Sequence, residues 1–149
     1  MHNKLIFIIV ILAGSCYAST INDVIGEQYN IAVQNWQDYH HTISGEEVNM
    51  SKVRWIVETF YDYVGDNISY ALHIFPRPYW VVWQTKEGDC TDQAVLLQYM
   101  LGRVNVTSRL VHGFCDGKLH DWLEYKDGGW ATLETYRCES LIKIGRGIW

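Results

Sequence analysis

The stretch Gly88-Asp89-Cys90-Thr91-Asp92-Gln93-Ala94-Val95-Leu96-Leu97-Gln98-Tyr99-Met100-Leu101-Gly102 decides how the rest of the chain is read. Asp89 is a good N-cap, and Asp92 adds negative charge in the first turn. Ala94, Leu97 and Leu101 form one apolar stripe, widened by Val95, Leu96 and Met100, so the segment reads as a helix with one buried face. Gly102 fits the left-handed position that ends a helix. Cys90 then lies in the first turn. The helix N-terminus favours negative charge and lowers a thiol pKa below its free value of ~8.5. Thiolate is the nucleophilic form, so Cys90 is a candidate for covalent chemistry.

Upstream, Ser51 can cap a helix carrying Val53, Ile56, Val57, Phe60, Tyr61 and Val64 at helical spacing, with Gly65-Asp66-Asn67 as its stop. Residues 23–39 form a second candidate helix, with Ile25, Tyr29, Ala32, Val33 and Trp36 on one face. Gly45 to Asn49 reads as a break. Ile68 to Phe75 is short and apolar, and Pro76 and Pro78 interrupt the chain. The aromatic run Tyr79 to Gln84 reads as a strand or the wall of a pocket. Downstream the period changes. Val104 to Phe114 reads as a strand. His120 to Tyr125 and Trp130 to Thr135 read as a hairpin around Asp127-Gly128-Gly129. Trp122 and Trp130 are expected in the core of that sheet. Helices first and a strand meander second predict an α+β fold, with the Cys90 helix packed on an antiparallel sheet.

The chain has 149 residues, 48% hydrophobic and 14% aromatic, a length that fits one domain. Two prolines and no low-complexity tract exclude a disordered or fibrous protein. The formal net charge is −5 and no basic cluster exists, which argues against nucleic acid as a partner. Lys4 precedes the apolar run Leu5 to Ala13, and Gly14-Ser15-Cys16-Tyr17-Ala18 follows. This is the pattern of a secretory signal peptide cut after Ala18, and its apolar run is too short to span a bilayer comfortably. The expected organisation is a leader at 1–18 and one domain at 19–149, secreted or extracytoplasmic. A membrane would be met only through an uncleaved leader or a lipidated Cys16. The tripeptides Asn49-Met50-Ser51, Asn67-Ile68-Ser69 and Asn105-Val106-Thr107 are compatible with glycosylation of an exported protein.

A nucleophilic cysteine needs a base within hydrogen-bond reach, itself oriented by a third group. His120 opens one hairpin strand and Glu134 lies on the other. Register decides whether they meet. A two-residue turn at Asp127-Gly128 pairs residue 121 with 134 and puts His120 and Glu134 on opposite faces. A three-residue loop, Asp127 to Gly129, pairs Trp122 with Glu134 and makes His120 and Glu134 diagonal neighbours on one face. The chemistry requires the longer loop, and glycine can supply its left-handed residue.

Three stretches, Gly88-Asp89-Cys90-Thr91-Asp92-Gln93-Ala94, His120-Asp121-Trp122-Leu123-Glu124 and Gly129-Trp130-Ala131-Thr132-Leu133-Glu134-Thr135, together resemble the transglutaminase-like superfamily, which has a papain-like fold. The helix ending near Tyr63-Val64 and the segment Ile68-Ser69-Tyr70 add to the resemblance, which spans roughly residues 55 to 136. It implies Cys90 as nucleophile, His120 as general base and acid, and Glu134 as the orienting carboxylate. The family's usual third residue is Asp, and a small apolar residue is commoner at Asp121. The oxyanion hole would use the Cys90 backbone N–H. Trp83, Gln84 and Trp80 are upstream candidates for its second donor, and Asp121 is a candidate for shaping access of a substrate amine.

Without Cys16, three cysteines remain. Cys115 and Cys138 lie beyond strand ends, and a disulfide between them would contribute roughly 3 kcal/mol. A zinc set of His112, Cys115, His120 and Cys138 is the weaker alternative, because no Cys-x-x-Cys pair supports it and export disfavours free thiols. No acidic calcium loop is evident, and no cofactor is expected. The function expected is an exported cysteine-dependent hydrolase of the protease or amidase type, or an acyltransferase, working through a thioester on peptide or protein amides, cell-wall peptides among them. The alternative is a non-catalytic binding domain that keeps the fold.

Overall fold

The structure is a computed structural model that describes residues 19–42, 50–134 and 138–146; the predicted leader at 1–18 lies outside these. Helix α1 spans Ile21–Thr42. It starts before the periodic pattern does because Thr20 and Asp23 cap it reciprocally. Asp23 Oδ2 accepts from the Thr20 N–H at 2.9 Å, and Thr20 Oγ1 accepts from the Asp23 N–H at 3.2 Å. Helix α2 spans Lys52–Asn67, and the predicted cap holds: Ser51 Oγ accepts from the Arg54 N–H at 3.0 Å. Ile56, Val57, Phe60 and Val64 form its buried face, and α1 packs along it through Val24, Ile25 and Ala32.

A two-residue parallel pair joins β1, Ser69–Tyr70, to β2, Glu87–Gly88. Between them, Tyr79–Thr85 is helix α3, which corrects the reading of Tyr79 to Gln84 as a strand or pocket wall. The sequence there is too short to show a period. Packing decides: Val82 is wholly buried, and Tyr79 stacks on Tyr99 with ring centroids 3.6 Å apart. Lys86 ends α3 in the left-handed region at φ 56°.

Helix α4 spans Cys90–Arg103, and Leu96, Met100 and Leu101 are fully buried. Each such side chain stabilises the fold by roughly 1.5–3 kcal/mol. Gly102 does not take the predicted terminal role. The helix runs through it to Arg103, and Asn105 adopts the left-handed conformation at φ 60°, while the Val106 N–H bonds the Leu101 carbonyl. That turn delays the next strand to Ser108.

The main sheet has the order β5-β4-β3-β6 and is antiparallel throughout, with β3 at Ser108–Cys115, β4 at Lys118–Asp127, β5 at Gly129–Ala131 and β6 at Leu141–Arg146. Strand β6 pairs with β3 as an edge strand of this sheet. At Gly113 a Cβ would lie 2.1 Å from the Ile142 carbonyl oxygen and 2.6 Å from Trp122 Cη2, so only glycine lets β6 and the indole close on β3. Trp122 is buried as expected. Trp130 is not: it is 41% exposed, with the Arg109 guanidinium 3.8 Å above its ring. Helices and antiparallel sheet together give the α+β architecture, with the apolar core between α2, α4 and the strands.

Candidate active site

Cys90 is the first residue of α4, and the helix tip beneath it is held from several sides. Asp89 Oδ1 accepts from the Asp92 N–H at 3.0 Å, as a helix cap should. Gln93 Nε2 donates to the carbonyls of Ile68 and Gly88, tying the β1–β2 pair to the helix. The wholly buried Asp92 carboxylate accepts from the Arg77 backbone N–H at 2.7 Å and from Arg77 Nε at 2.9 Å. Arg77 also donates to the Glu87 carbonyl. Gly88 is needed for this closeness, since a Cβ there would lie 2.7 Å from Asp92 Cβ.

His120 arrives from the sheet. The β3–β4 hairpin turns at Asp116-Gly117, both with positive φ (49° and 78°), and pairs Cys115 with Lys118. Two left-handed residues in a two-residue turn match the strand twist. The β4–β5 hairpin pairs Asp127 with Gly129 and Tyr125 with Ala131, with Gly128 at φ 69°. This is the register that aligns Trp122 with Glu134, the one the chemistry requires. The ladder itself ends at Ala131, and the Glu134 N–H bonds Thr132 Oγ1 at 3.2 Å.

The three predicted residues come together. His120 Nε2 lies 3.3 Å from Glu134 Oε2, and His120 also hydrogen-bonds the Cys90 thiol. Glu134 is buried, not a solvated strand residue, and its Oε1 accepts from the Tyr61 hydroxyl at 2.8 Å. The chain Tyr61–Glu134–His120–Cys90 therefore crosses α2, the end of the hairpin, β4 and the tip of α4.

Electrostatics follow from these contacts. The hydrogen bonds to Cys90 and Glu134 push His120 up to about 10, against the opposing effect of burial. Burial pushes the Cys90 thiol up, but the His120 hydrogen bond, the backbone N–H of Asp121 and the imidazolium charge outweigh it and leave it below its ordinary value. Both shifts favour the thiolate–imidazolium form of the pair.

Asp121 contributes its main chain to the sulfur and turns its carboxylate elsewhere. That carboxylate accepts from Thr91 Oγ1 at 2.5 Å and faces His112 Nδ1. It clamps α4, β3 and β4 together beside the site. Cys115 and Cys138 are bonded to each other, which removes both sulfurs from the zinc set with His112 and His120. Cys90 is a free cysteine.

A pocket of about 300 Å³ opens beside the thiol, and Cys90, His120, Asp121 and Glu134 all line it. Trp83, Gln84 and Trp80 do not. Trp83 stacks on Tyr63 and lies under Lys86 Nζ, Gln84 is exposed, and Trp80 is half-exposed on α3. Two lining residues had no signal as site residues in the sequence. Tyr61 carries the spacing of a core residue, and only the fold joins it to a carboxylate 73 positions away. Tyr70 sits at the mouth, where burial and the Cys90 charge raise its phenol pKa.

Comparison with protein-family models matches residues 37–135 to the transglutaminase-like superfamily. Comparison with curated protein sequences finds no match. Among solved structures, a candidate cysteine protease from Cytophaga hutchinsonii superposes with a TM-score of 0.56 at 16% identity, covering 83% of this chain and 42% of its own. A TGase crystal structure gives a TM-score of 0.48 at 14% identity, covering 91% of this chain and 38% of its own. A candidate protease from Parabacteroides distasonis gives 0.44 at 15% identity, over 81% and 27%. The chain thus spans less than half the length of each of these structures. With the family match covering most of the chain, the chain belongs to the transglutaminase-like superfamily.

Proposed function

We propose that this domain is a cysteine-dependent amide hydrolase, with Cys90 as nucleophile, His120 as general acid and base, and Glu134 as the carboxylate that orients it. The observation that carries the reading is the continuous hydrogen-bonded chain from Glu134 through His120 to a thiol at the wall of a pocket.

The Cys90 thiolate attacks the amide carbonyl carbon, and the oxygen becomes an oxyanion beside the Cys90 backbone N–H. That N–H belongs to the first helical turn, where backbone donors point outward and the dipole favours negative charge. The C–N bond then breaks. The imidazolium of His120 gives its proton to the leaving amine, and a thioester remains on Cys90. Neutral His120 next takes a proton from water, whose oxygen attacks the thioester carbonyl. Collapse releases the acid and restores thiolate and imidazolium. Glu134 keeps Nε2 engaged throughout and stabilises the charged ring. An amine in place of water would give acyl transfer.

The substrates are peptide or protein amides, cell-wall peptides among them, met outside the cytoplasm. The apolar run at Leu5 to Ala13 and the Cys115–Cys138 disulfide support export. Among the described residues no helix is long and apolar enough to cross a membrane.

The test is alkylation of the folded protein by iodoacetamide, followed by peptide mapping. Cys90 is expected to react at pH 6 far faster than an ordinary thiol, and His120→Ala is expected to slow it to the ordinary rate. A slow Cys90, or a rate indifferent to His120, would favour the non-catalytic binding domain. A peptide-library digest compared between the wild type and Cys90→Ala identifies the bonds cut.

A further inference from the structure

We propose that the acyl donor is apolar: a peptide segment whose acyl-side residue is aliphatic or aromatic. This rests on the amide-hydrolase reading and names its substrate class.

The pocket beside Cys90 is walled by Val64, Ala94, Leu97, Trp122 and Leu123. Of these, Val64, Ala94, Leu97 and Leu123 belong to the main apolar core, so the cleft cuts into the interior. At about 300 Å³ it lies at the small end of ligand pockets, room for one side chain and its peptide unit. Two carboxylates reach it, and both are engaged: Asp121 with Thr91 and His112, Glu134 with Tyr61 and His120. No Lys or Arg lines it. An acidic acyl residue would meet two negative charges and only one cation, the imidazolium whose proton the leaving amine needs. A basic residue would have to shed its water against apolar walls beside carboxylates whose oxygens already hold donors. A hydrocarbon side chain meets neither cost.

The chain that leaves the pocket at Tyr70 continues in the same character. Tyr70 at the mouth leads into Leu72, Ile74 and Phe75, which are 81%, 91% and 77% exposed. An exposed apolar run of this kind marks an interaction surface. It is pinned at one end by the pairing of β1 with β2 and at the other by Arg77 on the buried Asp92. Held at both ends and continuous in sequence with Tyr70, this run is the segment we assign to further apolar residues of the same donor.

The experiment measures second-order inactivation of the full chain by acetyl-Xaa acyloxymethyl ketones with Xaa as Leu, Phe, Glu or Lys, beside iodoacetamide, which needs no pocket. Leu and Phe are expected to react with Cys90 at least tenfold faster than Glu and Lys. Leu72→Ser/Ile74→Ser, a surface change that leaves the core intact, is expected to slow a tri-leucyl probe about tenfold while iodoacetamide labelling stays unchanged. Fast iodoacetamide labelling with Glu or Lys probes equal to Leu would overturn the apolar donor alone. A tri-leucyl rate indifferent to the double substitution would overturn the role assigned to this run. Slow iodoacetamide labelling of Cys90 would overturn the hydrolase reading beneath both.

Discussion

Glu134→Asp restores the residue commonest at this place in the family, and the geometry predicts that it impairs this protein. The Glu134 carboxylate reaches His120 Nε2 at 3.3 Å and the Tyr61 hydroxyl at 2.8 Å. Removing a methylene withdraws it by ~1.5 Å, which places the His120 contact beyond hydrogen-bond range. A hydrogen bond to a charged group contributes about 1.5–3 kcal/mol, so His120 should fall by roughly one to two pKa units from its value of about 10. The imidazolium then holds the thiolate less firmly, and the thiol rises toward its ordinary range. Amide hydrolysis near neutral pH should drop roughly 10- to 100-fold. The sharper assay is the pH profile of iodoacetamide alkylation at Cys90. At pH ~6 the variant should lag by about tenfold or more, because fewer of its thiols are ionised. Above pH ~9.5 the profiles should converge, since even an unassisted thiol ionises there. Superimposable profiles would refute the role given to Glu134. An equal deficit at every pH would show general damage instead of lost orientation.

The raised His120 also sets a pH window for the wild type. Hydrolysis should appear as pH rises through the lowered Cys90 value and fall as pH rises through about 10, where the imidazolium loses the proton that the leaving amine needs. For stability, a group raised on folding contributes fully below its unfolded value of about 6.5 and loses that contribution as pH climbs through about 10, which urea titrations across this range can follow. Cys138→Ser, or reduction, opens the crosslink to Cys115 across 23 positions and should cost about 3 kcal/mol, read as a fall of roughly 10 °C in Tm by calorimetry. Asp92→Asn leaves Arg77 without its buried partner and should destabilise by about 3 kcal/mol in chemical denaturation, while loosening the helix tip under Cys90. Gly113→Ala forces a methyl against the Ile142 carbonyl and Trp122, and should cost at least about 2 kcal/mol, with faster amide hydrogen exchange along β6 as its signature.

Much of this molecule is written locally. A cap at Asp89, an apolar stripe through Leu97 and Leu101, a cap at Ser51 and an Asp-Gly-Gly turn each act within a few residues, so composition and spacing alone announce α4, α2 and the hairpin. The positions of Cys90, His120 and Glu134 follow from those elements and their order. What stayed hidden depends on neighbours distant in the chain. Tyr79–Thr85 became a helix because Val82 is buried and Tyr79 stacks on Tyr99 of α4, and a run of six residues, three of them aromatic, shows no period that could say so. Gly102 stayed inside its helix because the chain could turn three residues later, at Asn105. The hairpin register was open in the sequence as two loops, and tertiary packing selected the one that sends Glu134 back to His120. Tyr61 could not be told from a core tyrosine until the sheet brought a carboxylate to its hydroxyl. The bonds that ready the sulfur bridge separate helices and strands. Residue type and spacing determine which groups are present, and only the closing of the sheet over the helix tip decides which of them touch.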